Sequence, residues 1–328
     1  MTATMAALFG GTAPQWETRE IPVPEPGPGQ VLVRARAVSL NNADVQQLDS
    51  SFGPATGKKT EYLAGYEFAG DIAATGPGVG SVHIGDRVMG TTQGAFAQYV
   101  LADHRHVMPI PESLGYDEAS ALPTGLLTEH GALTRARFRS GQSVLVTGAT
   151  SSIGLIGVQM AKAMGAAHVI ATTRSKAKEA LLKDAGADSV VVTQGQDLTR
   201  AVLDATGEEG VEVVLDHVGG RTFADCLPAT RVDGHVVNIG RLDGPRSTID
   251  LDALSYRHLH VRGVSFGFSR PEALGQVVAA AIDEVMPAVA DGRIRAVIDS
   301  VHAFDRADEA ADRMRGHQAY GKIILTVP

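Results

Sequence analysis

The chain has 328 residues, enough for two domains of ordinary size. Its formal charge of −8 at pH 7, with basic residues scattered apart from one short cluster, argues against nucleic acid as a main partner. A single cysteine, Cys226, excludes an intrachain disulfide and any multi-cysteine zinc site. The segment Met1–Ala7 lacks a charged stretch followed by a long apolar core. No apolar run approaches the ~20 residues a membrane span takes. A soluble, cytoplasmic protein with no membrane partner is expected.

In chain order, residues 1 to about 120 read as β-rich. Ile21–Gly29 is a proline-punctuated connector, and Val31–Val38 alternates as a half-buried strand. Further strands fit Phe68–Ala74, Arg87–Gly90 and Ala95–Leu101 between Gly-rich turns, which suggests a small barrel-like domain. From about 124 to 265 strands and helices alternate. Strands are predicted at Val144–Thr147, Val169–Thr172, Val190–Val192, Val211–Asp216, His235–Ile239 and Leu259–Val264. Helices are predicted at Ser152–Met164, Lys176–Asp184, Leu198–Ala205 and Thr222–Leu227. These crossovers describe a doubly wound parallel sheet. One long amphipathic helix, Pro271 to Ala290, follows, and Lys322–Val327 reads as a strand returning to the first domain. The predicted organisation is α/β: a barrel domain over 1–123, a dinucleotide-binding domain over 124–266, and a return to the first domain over 267–328.

The stretch Val144–Gly154 carries the most chemistry. A buried strand runs into a turn of small residues, and a helix follows with apolar positions at Ile153, Ile156, Gly157, Met160, Ala161 and Met164. Backbone N–H groups and the positive helix end can meet a pyrophosphate there. Against the full G-x-G-x-x-G pattern the chain offers Ala149, Ser151 and Gly154. Ala149 can still make a tight turn, and Ser151 and Ser152 add hydroxyls; an ordinary Ser-capped turn is the other reading.

The tip of the second strand bears on cofactor choice. An NAD site usually places Asp or Glu about 20 residues after the glycine turn, for the ribose 2′-OH. Here the place is Thr172-Thr173-Arg174-Ser175, with Lys176 and Lys178 behind. Arg174 and Lys178 can pair with a 2′-phosphate and Ser175 can hydrogen-bond it. The pattern points to NADPH; a solvated basic helix turn is the alternative, and the helix dipole mildly disfavours it.

Five short segments then fall in one order: Gly65-Tyr66-Glu67-Phe68-Ala69-Gly70, Gly85-Asp86-Arg87-Val88, Leu127-Thr128, Leu215-Asp216-His217-Val218-Gly219-Gly220 and Gly321-Lys322. With the strand–turn–helix unit they resemble, nearly end to end, the medium-chain dehydrogenase/reductase superfamily and its zinc-free, zeta-crystallin-like NADPH:quinone oxidoreductases. The resemblance implies a GroES-like β-barrel catalytic domain, a Rossmann domain, and nicotinamide in a cleft between them. It brings Asn41 and Thr128 to the nicotinamide and ribose. It assigns to the cofactor Ser151, Ser152, Ile153, Thr173, Arg174, Ser175, Lys178, Thr193, His217, Val218, Ile239, Gly240, Arg241, Phe266, Gly267, Phe268 and Lys322. The substrate side receives Asn41, Gln46, Gln93 and Phe268.

In zinc-dependent relatives a Cys in the early strand-to-helix turn and a His after the Gly of a G-H-E segment bind the catalytic metal. Asn41 and Tyr66 hold those positions here, and an amide and a phenol are poor zinc ligands. His104 and His106 form a pair with no third ligand nearby, so no metal is expected. Without one, the acceptor must already be electrophilic, as a quinone or a carbonyl-conjugated alkene is. Tyr66 is expected to hydrogen-bond a substrate carbonyl and Tyr62 is the second catalytic candidate, although either fits a packing role. Gln46 stands where the best-known quinone reductases carry tyrosine, which leaves quinone and enone both open. The expected activity is NADPH-dependent reduction of such a small molecule. The alternatives are an enoyl reductase of a biosynthetic pathway and a non-catalytic NADPH-binding redox sensor. The apolar last strand, Leu259–Val264, suggests a homodimer through that sheet edge.

Overall fold

In the computed structural model, which describes residues 3–11, 13–49, 60–265, 270–316 and 319–328, the chain divides into two units. One comprises residues 1–124, 268–282 and 296–328, the other 125–267 and 283–295. The segment Asp283–Arg295, expected to return with the first domain, groups with the second unit. Its own contacts explain this: Glu284 pairs with His130 at 3.0 Å, and the Arg295 N–H donates to Gln159 at 3.0 Å.

The first unit is organised by the strand Gln30–Leu40. Glu67–Thr75 pairs antiparallel along one side, while Tyr99–Asp103 and Lys322–Thr326 share the other, at its start and its end. Ile298–Ala303, Arg87–Thr91 and Val107–Pro109 complete a seven-stranded sheet. Register shifts at Leu32/Val33 and Ala35/Ala37 bend the central strand, as bulges do where a sheet curls. The predicted half-buried alternation is therefore lost. Val31, Leu32, Val33, Ala35, Ala37, Val38 and Leu40 are all buried and only Arg34 is exposed. The strand predicted at Ala95–Leu101 starts only at Tyr99. Ala95–Gln98 instead lie beside Thr4–Gly10, with the Leu8 N–H on the Phe96 carbonyl at 2.9 Å and the Gln98 N–H on the Ala6 carbonyl at 3.0 Å. Thr4–Gly10 is the middle of a small sheet with Glu17–Pro22 and Tyr62–Leu63. Leu8, Phe68, Phe96, Ile323 and Leu325 fill the core, and Trp16 meets Phe96 edge-on at 5.4 Å.

The second unit carries six parallel strands in the order Ser189–Val192, His168–Thr173, Ser143–Val146, Val211–Asp216, Thr230–Asn238, His260–Gly263. This is the doubly wound order, and its switch point lies between Ser143–Val146 and Val211–Asp216. Leu145, Ile170, Val191, Val214 and Val236 form the core, as expected of parallel strands covered on both faces. Two predicted helices are modified. Lys176–Lys178 is a 3-10 turn ahead of Glu179–Asp184. The long helix divides into Pro271–Glu284 and Met286–Ala290, because Pro287 lacks an N–H and its ring would strike the carbonyl of Asp283 in a continuous helix. Among the described residues, no helix is long and apolar enough to cross a membrane.

Candidate active site

Antiparallel register gathers the first unit's polar centre. Ile323 lies opposite Leu40, and Phe68 opposite Val38. Asn41 at the end of one strand therefore meets Lys322 and Glu67 at the starts of the next two. All three are buried. Glu67 Oε1 accepts from the Lys322 ammonium, from Ser39 Oγ at 2.5 Å and from Asn41 Nδ2 at 2.8 Å. Glu67 Oε2 accepts the Thr124 N–H at 2.9 Å. Lys322 also donates to Asn41 Oδ1 at 2.8 Å. The Asn41 amide is thus fixed in orientation, its oxygen toward a group that only donates and its nitrogen toward one that only accepts. The ammonium of Lys322, expected at the cofactor, lies on Glu67 and Asn41.

Tyr66 follows Gly65, whose φ of +95° suits glycine. The Tyr66 carbonyl accepts the Thr92 N–H, and the Gly65 carbonyl the Gly94 N–H, each at 3.0 Å. So clasped, half-buried Tyr66 sets its hydroxyl on Gln47 Oε1 at 2.6 Å. Burial, then any charge on Asp44, raises the phenol well above the usual tyrosine range. Tyr62 has its hydroxyl buried with no hydrogen-bond partner. It pairs with Gly10, where a Cβ would come within 2.5 Å of its hydroxyl, and burial pushes its pKa up to about 12. Gln46 is exposed on the helix Asn42–Leu48, and Gln93 is exposed on the turn facing Gly65. The neighbour Gln47 is the residue that meets Tyr66.

In the second unit, the Ser151 hydroxyl caps the helix Ser152–Ala163 by accepting the Gly154 N–H at 3.1 Å. Ser152 and Ile153, in the first turn, have N–H groups with no acceptor inside the helix. Gly154 is obligatory, since a Cβ there would stand 2.7 Å from the Gly148 carbonyl oxygen. Asp216 ties the strand ends together. It accepts from Thr147 Oγ1 at 2.8 Å, from Asn238 Nδ2 at 2.9 Å, and from the N–H groups of Val218 and Gly219. Ile239 and Gly240 donate to the Asp216 carbonyl, and a Cβ on Gly240 would strike the His217 carbonyl. Arg241 is exposed beside them, and Thr128 is half-buried in the helix Pro123–Arg135.

His217 is committed inward. Its Nδ1 donates to the Thr147 carbonyl at 2.8 Å, and its Nε2 lies 2.6 Å from Glu129 Oε1. Burial lowers its pKa, but the Glu129 charge and hydrogen bond and the Thr147 carbonyl outweigh it and leave the value raised. The His217 side chain therefore anchors the turn, leaving only its backbone for a ligand. At the second strand tip Arg174 is exposed, Ser175 half-buried, and the Ser175 N–H donates to Thr173 Oγ1 at 3.2 Å. The Thr193 N–H closes on the Thr173 carbonyl at 2.9 Å. Burial, then the Arg174 charge, lowers the Lys178 pKa, so the two cations feel each other. Phe266, Gly267 and Phe268 lie outside the described residues.

Sequence reasoning missed Ser39, Asp44, Gln47, Glu67, Glu129 and Asp216 as site members. Glu67 and Asp216 stood inside quoted motifs, so the signal was present but carried no partner. His104 and His106 diverge: His104 Nδ1 lies 2.9 Å from Ser81 Oγ, and His106 Nε2 donates to the Pro271 carbonyl at 2.9 Å.

A curled barrel sheet with a polar centre at its strand ends, and a doubly wound sheet with a small-residue turn at its switch point, together define a medium-chain dehydrogenase/reductase. Residues 27–112 match the alcohol dehydrogenase GroES-like domain and residues 152–310 the zinc-binding dehydrogenase family. The chain is 30% identical over 326 residues to the quinone oxidoreductase of Pseudomonas aeruginosa, covering 97% of each chain. It belongs to the quinone oxidoreductase-like family and is an oxidoreductase. It is 33% identical to the pikromycin polyketide synthase component PikAII of Streptomyces venezuelae over 93% of its length, but spans only 8% of that protein. The mycobacterial protein Rv1454c, solved in complex with NADPH, shares 26% identity and a TM-score of 0.86, with 98% and 99% of the two chains covered.

The zinc of the second family's name does not fit the donor set. The Asn41 oxygen faces an ammonium and Tyr66 is a phenol bonded to Gln47. Cys226, the one thiol, is buried in the second unit, where desolvation raises its pKa far above the usual range.

Proposed function

We propose that this protein is a cytoplasmic, homodimeric reductase that transfers hydride from NADPH to a quinone or an α,β-unsaturated carbonyl compound without zinc. The observation that carries the reading is the state of Asn41: its amide is spent on Glu67 and Lys322, which leaves no metal ligand at that position. Arg174, Ser175 and Lys178 would hold the 2′-phosphate, and the N–H groups of Ser152 and Ile153 the pyrophosphate. NADPH, when bound, supplies the hydride. The Tyr66 hydroxyl would turn from Gln47 to donate to the substrate oxygen as negative charge develops on it. The dimer is supported by the edge strand His260–Gly263, where Val261 is exposed.

NADPH consumption measured against a panel of quinones, enones and enoyl thioesters tests the reading. Turnover of the first two upholds it; tight NADPH binding without any turnover refutes it. The enoyl thioesters belong in the panel because of the likeness to a polyketide synthase component. Preference for them would make the chain an enoyl reductase.

A further inference from the structure

The polar centre of the first unit holds two carboxyl groups and one ammonium. Glu67 is answered by four donors, from Lys322, Ser39, Asn41 and Thr124. Asp44 is 2% exposed and accepts the Asn41 N–H on Oδ2 at 2.7 Å, while its Oδ1 is buried with no hydrogen-bond partner. A buried carboxylate with an unanswered oxygen is costly, and the neutral acid is far less so. One ammonium balances one negative charge, so one acid keeps its proton, and the donor count selects Asp44. The surrounding groups agree. Tyr62 and Tyr66 are neutral phenols, on which a charge on Asp44 would act. Arg315, on the helix that packs against Asn42–Leu48, is engaged by Asp49 and Asp312.

We propose that Asp44 is a positioning residue of the site, a buried carboxyl whose proton leaves Lys322 to Glu67 and Asn41, and whose ionisation disturbs both Asn41 and Tyr66. Once the proton passes to solvent, a second carboxylate stands beside one ammonium. Lys322 is then drawn toward Asp44, its bond to Asn41 Oδ1 weakens, and the new charge makes Tyr66 a poorer donor. Burial, opposed by the Asn41 N–H and assisted by the Glu67 charge, pushes the Asp44 pKa up to about 8. The consequence for turnover rests on the reductase reading; the proton on Asp44 does not.

The test uses the full chain between about pH 6 and pH 10. Infrared pH-difference spectra of the wild-type protein should lose a protonated-carboxyl stretch with a midpoint near 8, and Asp44→Asn should lack this change. The near-ultraviolet tyrosine spectrum should move with the same midpoint, and less so in Tyr66→Phe. Above that midpoint kcat for an enone should fall about tenfold per pH unit. This limb should vanish in Asp44→Asn, whose amide stands in for the protonated acid. A wild-type carboxyl band that does not change across the range overturns the proposal. An alkaline kcat limb that survives in Asp44→Asn overturns it too. If no enone or quinone is turned over, the reductase reading fails alone; a tyrosine transition matching the carboxyl midpoint then upholds the proposal, and its absence refutes it. The wild-type and Tyr66→Phe spectra decide even where Asp44→Asn does not fold.

Discussion

Replacing Glu67 by Gln should destabilise the first unit far more than replacing Lys322 by Met, although the two residues form one ion pair. The partners left behind differ. Without its carboxylate, the Lys322 ammonium keeps Asn41 Oδ1 as acceptor in a site where its side chain is 2% exposed. A buried charge stripped of its partner costs about 3–5 kcal/mol, less whatever Asp44 returns by giving up its proton beside the same ammonium. Without Lys322, Glu67 keeps the Ser39 hydroxyl, Asn41 Nδ2 and the Thr124 N–H, so the cost should be about 1–3 kcal/mol. The double variant removes both charges and should cost at least about 1 kcal/mol less than the sum of the singles. Trp16 is the single tryptophan, lies 6% exposed and packs edge-on against Phe96 in the same unit. Urea unfolding followed by its fluorescence therefore reads this unit. If Lys322→Met costs as much as Glu67→Gln, or the two costs simply add, the cluster is not held by the carboxylate and the argument fails.

Four further outcomes are expected. Arg174→Ala should weaken NADPH roughly 10- to 150-fold, the loss of a charge-assisted contact of about 1.5–3 kcal/mol, and leave NADH nearly unchanged; equal losses in titrations with both would show that Arg174 does not read the phosphate. Prolonged dialysis against a strong chelator should leave quinone reduction intact, and activity lost and then restored by zinc would reverse the donor-set argument. The His217 pKa is raised in the folded state above its ordinary 6.5, so its stabilisation is fully present below that value and is lost as pH rises through the folded pKa. Urea midpoints followed by circular dichroism should fall across that window, and Glu129→Gln should flatten the fall. Tyr66→Phe should lower kcat for an enone about 10- to 100-fold, and for a quinone less, with NADPH affinity unchanged; equal rates in the variant and wild type would leave the proton to solvent.

The parallel sheet was legible because its strands are covered on both faces and read as apolar runs; Val211–Asp216 coincides residue for residue with its prediction. Glu17–Pro22 gave no such run, being a mostly exposed edge strand rich in charge. The helix Pro123–Arg135 escaped because Glu129 and His130 are buried within it, which breaks the apolar face a periodicity reading depends on. In the site, Tyr66 was legible as a position, but its partner was not. A step of one residue on a helix turns the side chain by about 100°, and the phase of the seven-residue helix Asn42–Leu48, which turns Gln47 rather than Gln46 toward Tyr66, is set by packing. Glu67 and Lys322 stand 255 positions apart, and only strand register makes them neighbours.

That register also bears on which substrates the site suits. The cation of the first unit's polar centre is an ammonium, and its charge is already divided between Glu67 and Asn41. Lys322 is 1% exposed, so it offers a substrate oxygen neither an open coordination position nor a free positive charge. On the proposed reading the group that meets that oxygen is the Tyr66 hydroxyl, a neutral donor kept from ionising by burial and by any charge on Asp44. A neutral donor stabilises a developing oxyanion by far less than a Lewis acid does. An unactivated ketone or alcohol would depend on that missing stabilisation. A quinone or an enone spreads the incoming charge through its own conjugation, and one hydrogen bond from Tyr66 is then enough to favour the transition state. On the proposed reading the substrate class follows from how this chain spends its buried charges: Glu67 on Lys322, Lys322 on Asn41, and none on the substrate.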